Sequence, residues 1–130
     1  MASNEVFVRF IITGFEDNPS TITKLIGINP SKTWIKGDKK TEQGIIKYKA
    51  NGWEFFITEN NIWEVDVLLE KLLSKIKDIK ENIQSLVNVQ KKISIVIYSK
   101  EMMPSIILNS DFIEFINDIK AEVEHDIYSE

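Results

Sequence analysis

Apolar and polar residues alternate along several short stretches of the chain, and this period of two predicts β-strands. Residues Glu5–Thr13 form the first such stretch, and both of its faces are largely apolar, as in a strand that is covered on both sides or central in its sheet. Further strands are predicted at Lys92–Ser99, Pro104–Leu108 and Val123–Tyr128, the last with Val123, His125 and Ile127 on its inner face.

A short helix is predicted after the first strand. The side-chain oxygen of Asn18 can cap its first turn, and Pro19 suits the first helical position because no N–H is needed there. Gly27 can take the positive φ that ends a helix, and Asn29-Pro30 blocks its continuation. The residues predicted to face inward are Ile22, Leu25 and Ile26.

A hairpin is predicted in the middle of the chain. Residues Ser31–Asp38 are expected to be extended, with a turn at Gly37-Asp38 and a polar loop over Lys39–Gly44. Asn51-Gly52 is the preferred centre of a type I′ turn, which would pair Tyr48 with Phe55. The predicted inner face of this hairpin comprises Ile46, Tyr48, Ala50, Trp53, Phe55 and Ile57.

A helical pattern extends over residues 62–88, with a cap expected at Asn60 or Asn61. Its apolar seam comprises Ile62, Val65, Leu69, Leu72, Ile76, Ile79, Ile83 and Leu86. An unbroken helix would be about 40 Å long, which exceeds the ~30 Å diameter of a small domain. We therefore predict a kink or a break into two helices near Lys77-Asp78. The alternative is an unbroken helix that overhangs the domain and forms a homodimer seam.

The final segment adds a helix over Asp111–Ala121, with Ser110 as its cap. Its predicted inner residues are Phe112, Ile113, Ile116 and Ile119. The order of elements indicates an α+β fold, namely a ferredoxin-like β-α-β-β-α-β core with an added C-terminal β-α-β, in one mainly antiparallel sheet packed by helices. A length of 130 residues suits a single domain over residues 1–130.

Composition narrows the classes of partner. The formal net charge of −4 argues against nucleic acid, which needs clustered cations. The absence of cysteine excludes disulfides and thiol chemistry and fits a reducing cytoplasm. The N-terminus lacks the plan of a signal peptide, and no apolar run approaches the length of a membrane span. We expect a cytoplasmic protein that binds neither nucleic acid nor membrane.

Several short motifs in a fixed order resemble a known family. They are Ile22-Thr23, Leu25, Gly27-Ile28, Pro30, Trp34, Lys36-Gly37-Asp38, Asn51-Gly52-Trp53 and Asp126-Ile127-Tyr128. In this order and spacing the chain resembles the bacterial family named domain of unknown function 4279. The resemblance implies a small, stand-alone cytoplasmic protein, and it provides no catalytic residues to transfer. Some small bacterial families of this kind look like immunity proteins encoded beside toxins.

Candidate chemistry is sparse. His125 is the lone histidine, and a structural or half-exposed role is preferred to catalysis because no positioned partner is evident. Glu122, Glu124 and Asp126 have strand spacing and could gather a hard cation, but a solvated acidic face is the preferred interpretation. We predict no catalytic residue, no cofactor and no metal site.

The candidate functional surface centres on Trp34, because tryptophan is enriched among interface anchors. The adjacent Lys36-Gly37-Asp38 lacks the glycine pattern of a phosphate-binding loop and is interpreted as a turn. Lysines cluster around it at Lys32, Lys36, Lys39, Lys40, Lys47 and Lys49. The candidate surface comprises Trp34, Lys36, Gly37, Asp38, Asp126 and Tyr128.

Two functional hypotheses follow. The first is a non-catalytic protein-interaction module, immunity-like in one version, with a protein partner or a homodimer through the long helix 62–88. The second is a small-molecule or anion-binding domain, with a pocket near Trp34 and Asp126. Catalysis by His125, Asp126 or Tyr128 ranks third, so we expect that the protein is not an enzyme.

Overall fold

The structure, a computed structural model, describes residues 5–59, 63–100 and 102–129. Its strands are β1 (Glu5–Thr13), β2 (Lys32–Trp34), β3 (Gly52–Ile57), β4 (Gln90–Ser99) and β5 (Glu122–Ser129). Its α-helices are α1 (Pro19–Ile26), α2 (Val65–Ile76), α3 (Lys80–Gln84) and α4 (Ser110–Ile119).

The strands form one open five-stranded sheet in the order β2-β3-β1-β4-β5. Neighbouring strands are antiparallel except β4 and β5, which run parallel. The doubly apolar β1 lies at the centre of the sheet, between β3 and β4. The fold is therefore α+β with one mainly antiparallel sheet, as predicted.

The helices pack on one face of this sheet, where the core forms. In β1 the even-numbered residues from Val6 to Ile12 point into this core and are almost fully buried. They meet the isoleucines of β4 and the leucines of α2, and each such side chain contributes about 1.5–3 kcal/mol on burial. None of the helices in the described ranges packs on the other face, which is the helix-free face of the sheet.

The prediction for α1 is confirmed in its capping residues. The Asn18 side chain accepts a hydrogen bond from the backbone N–H of Ser20 at 2.9 Å, and Gly27 ends the helix with φ of +89°. Ile22 and Ile26 are buried, but Leu25 is 51% exposed, so its predicted inward position is wrong. A helix of eight residues presents only a narrow buried stripe, and Leu25 lies outside it.

The predicted hairpin at Asn51-Gly52 is wrong. Neither residue has the positive φ that a type I′ turn needs, and β3 begins at Gly52 and pairs with β1 and β2. Ile46 is 64% exposed, whereas Trp53 is fully buried as predicted. The physical reason lies outside the local sequence. Gly52 lies beneath the Trp34 ring, and the Asn51 side chain binds two other segments, namely the turn at Lys36 and the loop after β1.

The predicted break in the long helix is confirmed. A 3₁₀ turn at Lys77–Ile79 separates α2 from α3. The apolar seam packs into the core of the chain, with Val65, Leu69, Leu72, Ile76 and Ile83 all buried. The helix begins at Val65, and the predicted caps Asn60 and Asn61 lie outside the described residues.

The C-terminal part differs from the prediction at three points. Residues 104–108 form no strand, because they run over the core as part of the connection between β4 and β5. The cap of α4 is Asn109 rather than Ser110, and its side chain accepts from the N–H of Phe112 at 2.9 Å. Ile113 is exposed and Phe115 is buried, because the buried stripe follows the i, i+3, i+4, i+7 spacing of one helix face from Phe112 to Ile119.

Candidate functional site

Trp34 lies at the corner of the sheet where β2 ends. Its indole ring covers Gly52 so closely that a Cβ at that position would overlap the ring. The ring of Tyr48 stacks on Trp34 with 4.7 Å between centroids, and Trp34 is only 9% exposed. Trp34 is therefore packed on both sides, as a structural side chain is.

The turn after Trp34 is held by hydrogen bonds that explain its residues. The Asp38 carboxylate accepts from the N–H of Ile35 at 2.9 Å, and Gly37 has φ of +95°. The N–H of Lys36 donates to the side-chain oxygen of Asn51 at 2.8 Å. The Asn51 amide in turn donates to the carbonyls of Phe15 and Asp17. The Lys36-Gly37-Asp38 turn is thus tied to the loop after β1.

Lysine side chains surround this corner. The Lys32 ammonium lies 5.9 Å from the centroids of both Trp34 and Tyr48, and that of Lys40 lies 5.5 Å from Tyr48. Cation–π contacts at these distances are attractive. Both lysines are exposed, so the corner presents positive charge to solvent.

Asp126 and Tyr128 lie at the other edge of the sheet, on β5. The Tyr128 hydroxyl donates to the Asp126 carboxylate at 3.0 Å, and this hydrogen bond, with the adjacent negative charge, raises the pKa of Tyr128 above its ordinary value. The Tyr128 ring stacks on Tyr98 at 4.8 Å, and Tyr98 stacks on Phe7 at 6.2 Å. An aromatic row thus crosses β1, β4 and β5.

The structure does not bring the two halves of the candidate surface together. Trp34 is level with Gln90 of β4, and Tyr128 is level with Tyr98, which lies eight residues further along that strand. Strand geometry converts this offset to about 27 Å along the sheet and about 19 Å across it. A single small ligand cannot contact both groups.

Between these corners, the helix-free face of the sheet carries paired charges. Arg9 donates through Nε to the Glu54 carboxylate at 2.8 Å, and Glu54 is 5% exposed. Lys92 pairs with Glu124 at 3.1 Å. The fully buried Ser94 hydroxyl lies level with Arg9 and Glu124 and has no hydrogen-bond partner among the described residues.

A groove of about 490 Å³ separates α2 from α4 on the helical side of the molecule. Its apolar lining comprises Leu69, Leu73, Ile107, Phe112 and Phe115. Five carboxylates line it, from Asp66, Glu70, Asp111, Glu114 and Asp118, against the two ammonium groups of Lys77 and Lys80. Lys80 is paired with Asp118 at 3.2 Å, so the groove keeps an excess of negative charge.

Sequence reasoning missed this groove, although two signals mark it. Asp66 and Glu70 are four residues apart, and Asp111, Glu114 and Asp118 are three and four apart. Each set marks one face of its helix. What the sequence does not give is that these two faces are neighbours, because the helices are distant in the chain.

A model of the family described as a domain of unknown function, DUF4279, matches residues 4–130. The chain belongs to the DUF4279 family. No curated protein and no solved structure matches it significantly.

In this DUF4279 protein the remaining candidate groups are exposed. His125 is on β5 and is open to solvent. Across residues 5–59, 63–100 and 102–129, no three acidic or histidine side chains converge as metal ligands would. None of the helices in the described ranges has the length and apolar character needed to cross a bilayer. The groove between α2 and α4 combines an apolar lining with an excess of carboxylates.

Proposed function

We propose that this protein is a non-catalytic interaction module, which binds a basic amphipathic helix of a protein partner in the groove between α2 and α4. The observation that carries the proposal is the combination of an apolar lining with an excess of carboxylates in this groove. Protein segments that combine leucine-like and lysine-like residues at helical spacing are complementary to both features.

The dimensions of the groove suit such a segment. The lining of the groove runs from Asp66 on α2 to Lys77 in the 3₁₀ turn, and this separation of eleven residues corresponds to about 16 Å of helix. A partner helix of about three turns would lie along this length. Its apolar side would cover Leu73 and Ile107, of which Ile107 is 57% exposed.

The carboxylates of the groove favour a partner segment with positive charge. Glu70 on α2 and Glu114 on α4 are exposed, and both line the groove. A basic segment would neutralise them, whereas an acidic one would be repelled. Because exposed charges are screened by salt, the affinity should fall as ionic strength rises.

A synthetic 14-residue helical peptide that contains only leucine and lysine tests the proposal by isothermal titration calorimetry. We expect saturable binding, with an affinity at least tenfold weaker for the E70K/E114K variant. A matched peptide of leucine and glutamate should not bind.

The control variant is E16K/E81K, which makes the same change in net charge at exposed glutamates outside the groove. It should keep most of the affinity, and its far-ultraviolet circular dichroism should match that of the wild type. Equal losses in the two variants would mean that only overall charge attracts the peptide, and this would overturn the proposal.

The proposal also includes a ferredoxin-like core, a bacterial and cytoplasmic setting, and an immunity-like role. The order β2-β3-β1-β4 with all neighbours antiparallel supports a ferredoxin-like core, to which β5 is added. Bacterial origin, a cytoplasmic location and an immunity-like role against a basic toxin are parts of the same proposal. A homodimer through the region 62–88 would have to use its outer face, because its apolar seam is buried.

Anion binding at the Trp34 corner is the second candidate, since Lys32 and Lys40 are exposed beside the stacked rings. Pyrophosphate and adenosine triphosphate are suitable probes in a thermal-shift assay. A shift that K32Q/K40Q abolishes and K71Q/K75Q retains would support this candidate. No shift at millimolar concentrations would remove it.

A further inference from the structure

The two edge strands of the sheet, β2 and β5, differ in how many residues they offer for pairing with an added strand. The edge strand β2 has only three residues, and the chain turns away immediately after it. The edge strand β5 has eight residues and contains no proline. An edge strand of this length presents a row of outward N–H and C=O groups that another strand can pair with.

The aromatic row on the helix-free face stops at this same edge. Phe7, Tyr98 and Tyr128 stack in succession across β1, β4 and β5. Tyr128 is the outermost ring and is 47% exposed. A further strand beside β5 would place a residue directly next to Tyr128, within reach of its free ring face.

The same face of β5 is acidic, with Glu122, Glu124 and Asp126 at alternate positions. Two copies of β5 that pair antiparallel over seven or more residues, with their helix-free faces on one side, would set carboxylates opposite carboxylates. Like charges directly opposite each other destabilise a strand pair. The charge pattern therefore disfavours a second copy of this chain and favours a basic strand.

We propose that the outer edge of β5 binds an extended segment of a partner protein by strand addition. The segment carries lysine or arginine at two or three alternate positions, opposite Glu122, Glu124 and Asp126, and an aromatic residue opposite Tyr128. This site is separate from the groove between α2 and α4, and it goes beyond the function proposed above.

Two seven-residue peptides, capped at both ends, test the proposal and its orientation. Tyr-Val-Lys-Val-Lys-Val-Lys matches β5 in the antiparallel direction, and Lys-Val-Lys-Val-Lys-Val-Tyr matches it in the parallel direction. We expect one of them to bind with an affinity at least tenfold higher than the same peptide with glutamate for lysine. Replacing its tyrosine by alanine should weaken binding severalfold.

Hydrogen exchange and variants locate the binding. Amides of residues 122–129 should exchange more slowly with peptide present, while those of β2 should not change. E122K/E124K should weaken binding at least tenfold, and E16K/E81K, with the same net charge, should not. Binding that E70K/E114K abolishes and E122K/E124K leaves intact would assign the peptide to the groove and overturn this proposal, as would the absence of any binding.

Discussion

The two edges of the sheet carry aromatic stacks that differ in burial and charge. At the β2 edge, Trp34 is 9% exposed and is packed between Gly52 and Tyr48, with lysines around it. At the β5 edge, Tyr128 is 47% exposed, stacks on one side only and lies beside carboxylates. A stack closed on both sides supports the fold, whereas one with a free ring face can still bind.

The largest expected effect is on the free energy of unfolding, which should fall much more when a ring is removed from the Trp34 stack than from the Tyr128 stack. W34A should lower the free energy of unfolding by about 3 kcal/mol, because it removes a buried indole and leaves a cavity. Y128A should lower it by about 1 kcal/mol or less, since an exposed stacked ring contributes about that much. Urea denaturation measures both. Equal losses would contradict the distinction between the edges.

The contact between Trp34 and Gly52 should appear as strong coupling. G52A should cost about 1–3 kcal/mol, because the new methyl group displaces the indole ring. In the W34A background the same substitution should cost much less. A double-mutant cycle measures the coupling, and additive effects would show that the ring does not need glycine beneath it.

The hydrogen bonds of the Asn51 side chain at the Trp34 corner should contribute less to the free energy of unfolding than the Trp34 ring does. N51A should cost about 1–2 kcal/mol, since it removes the acceptor for Lys36 N–H and the donor to Phe15 and Asp17. N29A is the matched control at an exposed asparagine and should have almost no effect. An N51A variant as stable as N29A would mean that the links to the β1 loop are not needed.

The smallest effect is expected at the β5 edge and concerns ionisation. The Asp126 carboxylate raises the pKa of Tyr128, so the phenol stays protonated to higher pH than a free tyrosine. The hydrogen bond from Tyr128 to Asp126 stabilises the folded protein below pH 10, and this stabilisation is lost as pH rises through the raised pKa of Tyr128. Ultraviolet titration of D126N should show one tyrosine that ionises at lower pH than in the wild type. Identical titration curves would contradict the hydrogen bond.

The sequence predicts those features whose causes lie in neighbouring residues or in the pattern and length of one segment. The cap at Asn18 and the end of α1 at Gly27 depend on neighbouring residues, and both are confirmed. The central position of β1 follows from its two apolar faces. The break at Lys77–Ile79 follows from the length of the helical pattern relative to the size of the domain.

The features that the sequence does not predict depend on contacts between distant residues. Asn51-Gly52 has the local chemistry of a turn, but the Trp34 ring requires the glycine and the asparagine side chain binds two distant segments. The groove likewise forms only when α2 and α4 become neighbours. Residue type alone predicts Trp34 as a surface anchor, whereas its burial depends on Tyr48 and Gly52, which are distant in the chain.

The central claim is that a partner binds the acidic helical groove and that the Trp34 corner is structural. Hydrogen exchange by mass spectrometry, with and without the leucine–lysine peptide, tests it most directly. We predict slower exchange in residues 66–77 and 107–118 and no change in residues 32–51. Protection confined to residues 32–51, with none along the groove, would contradict the account.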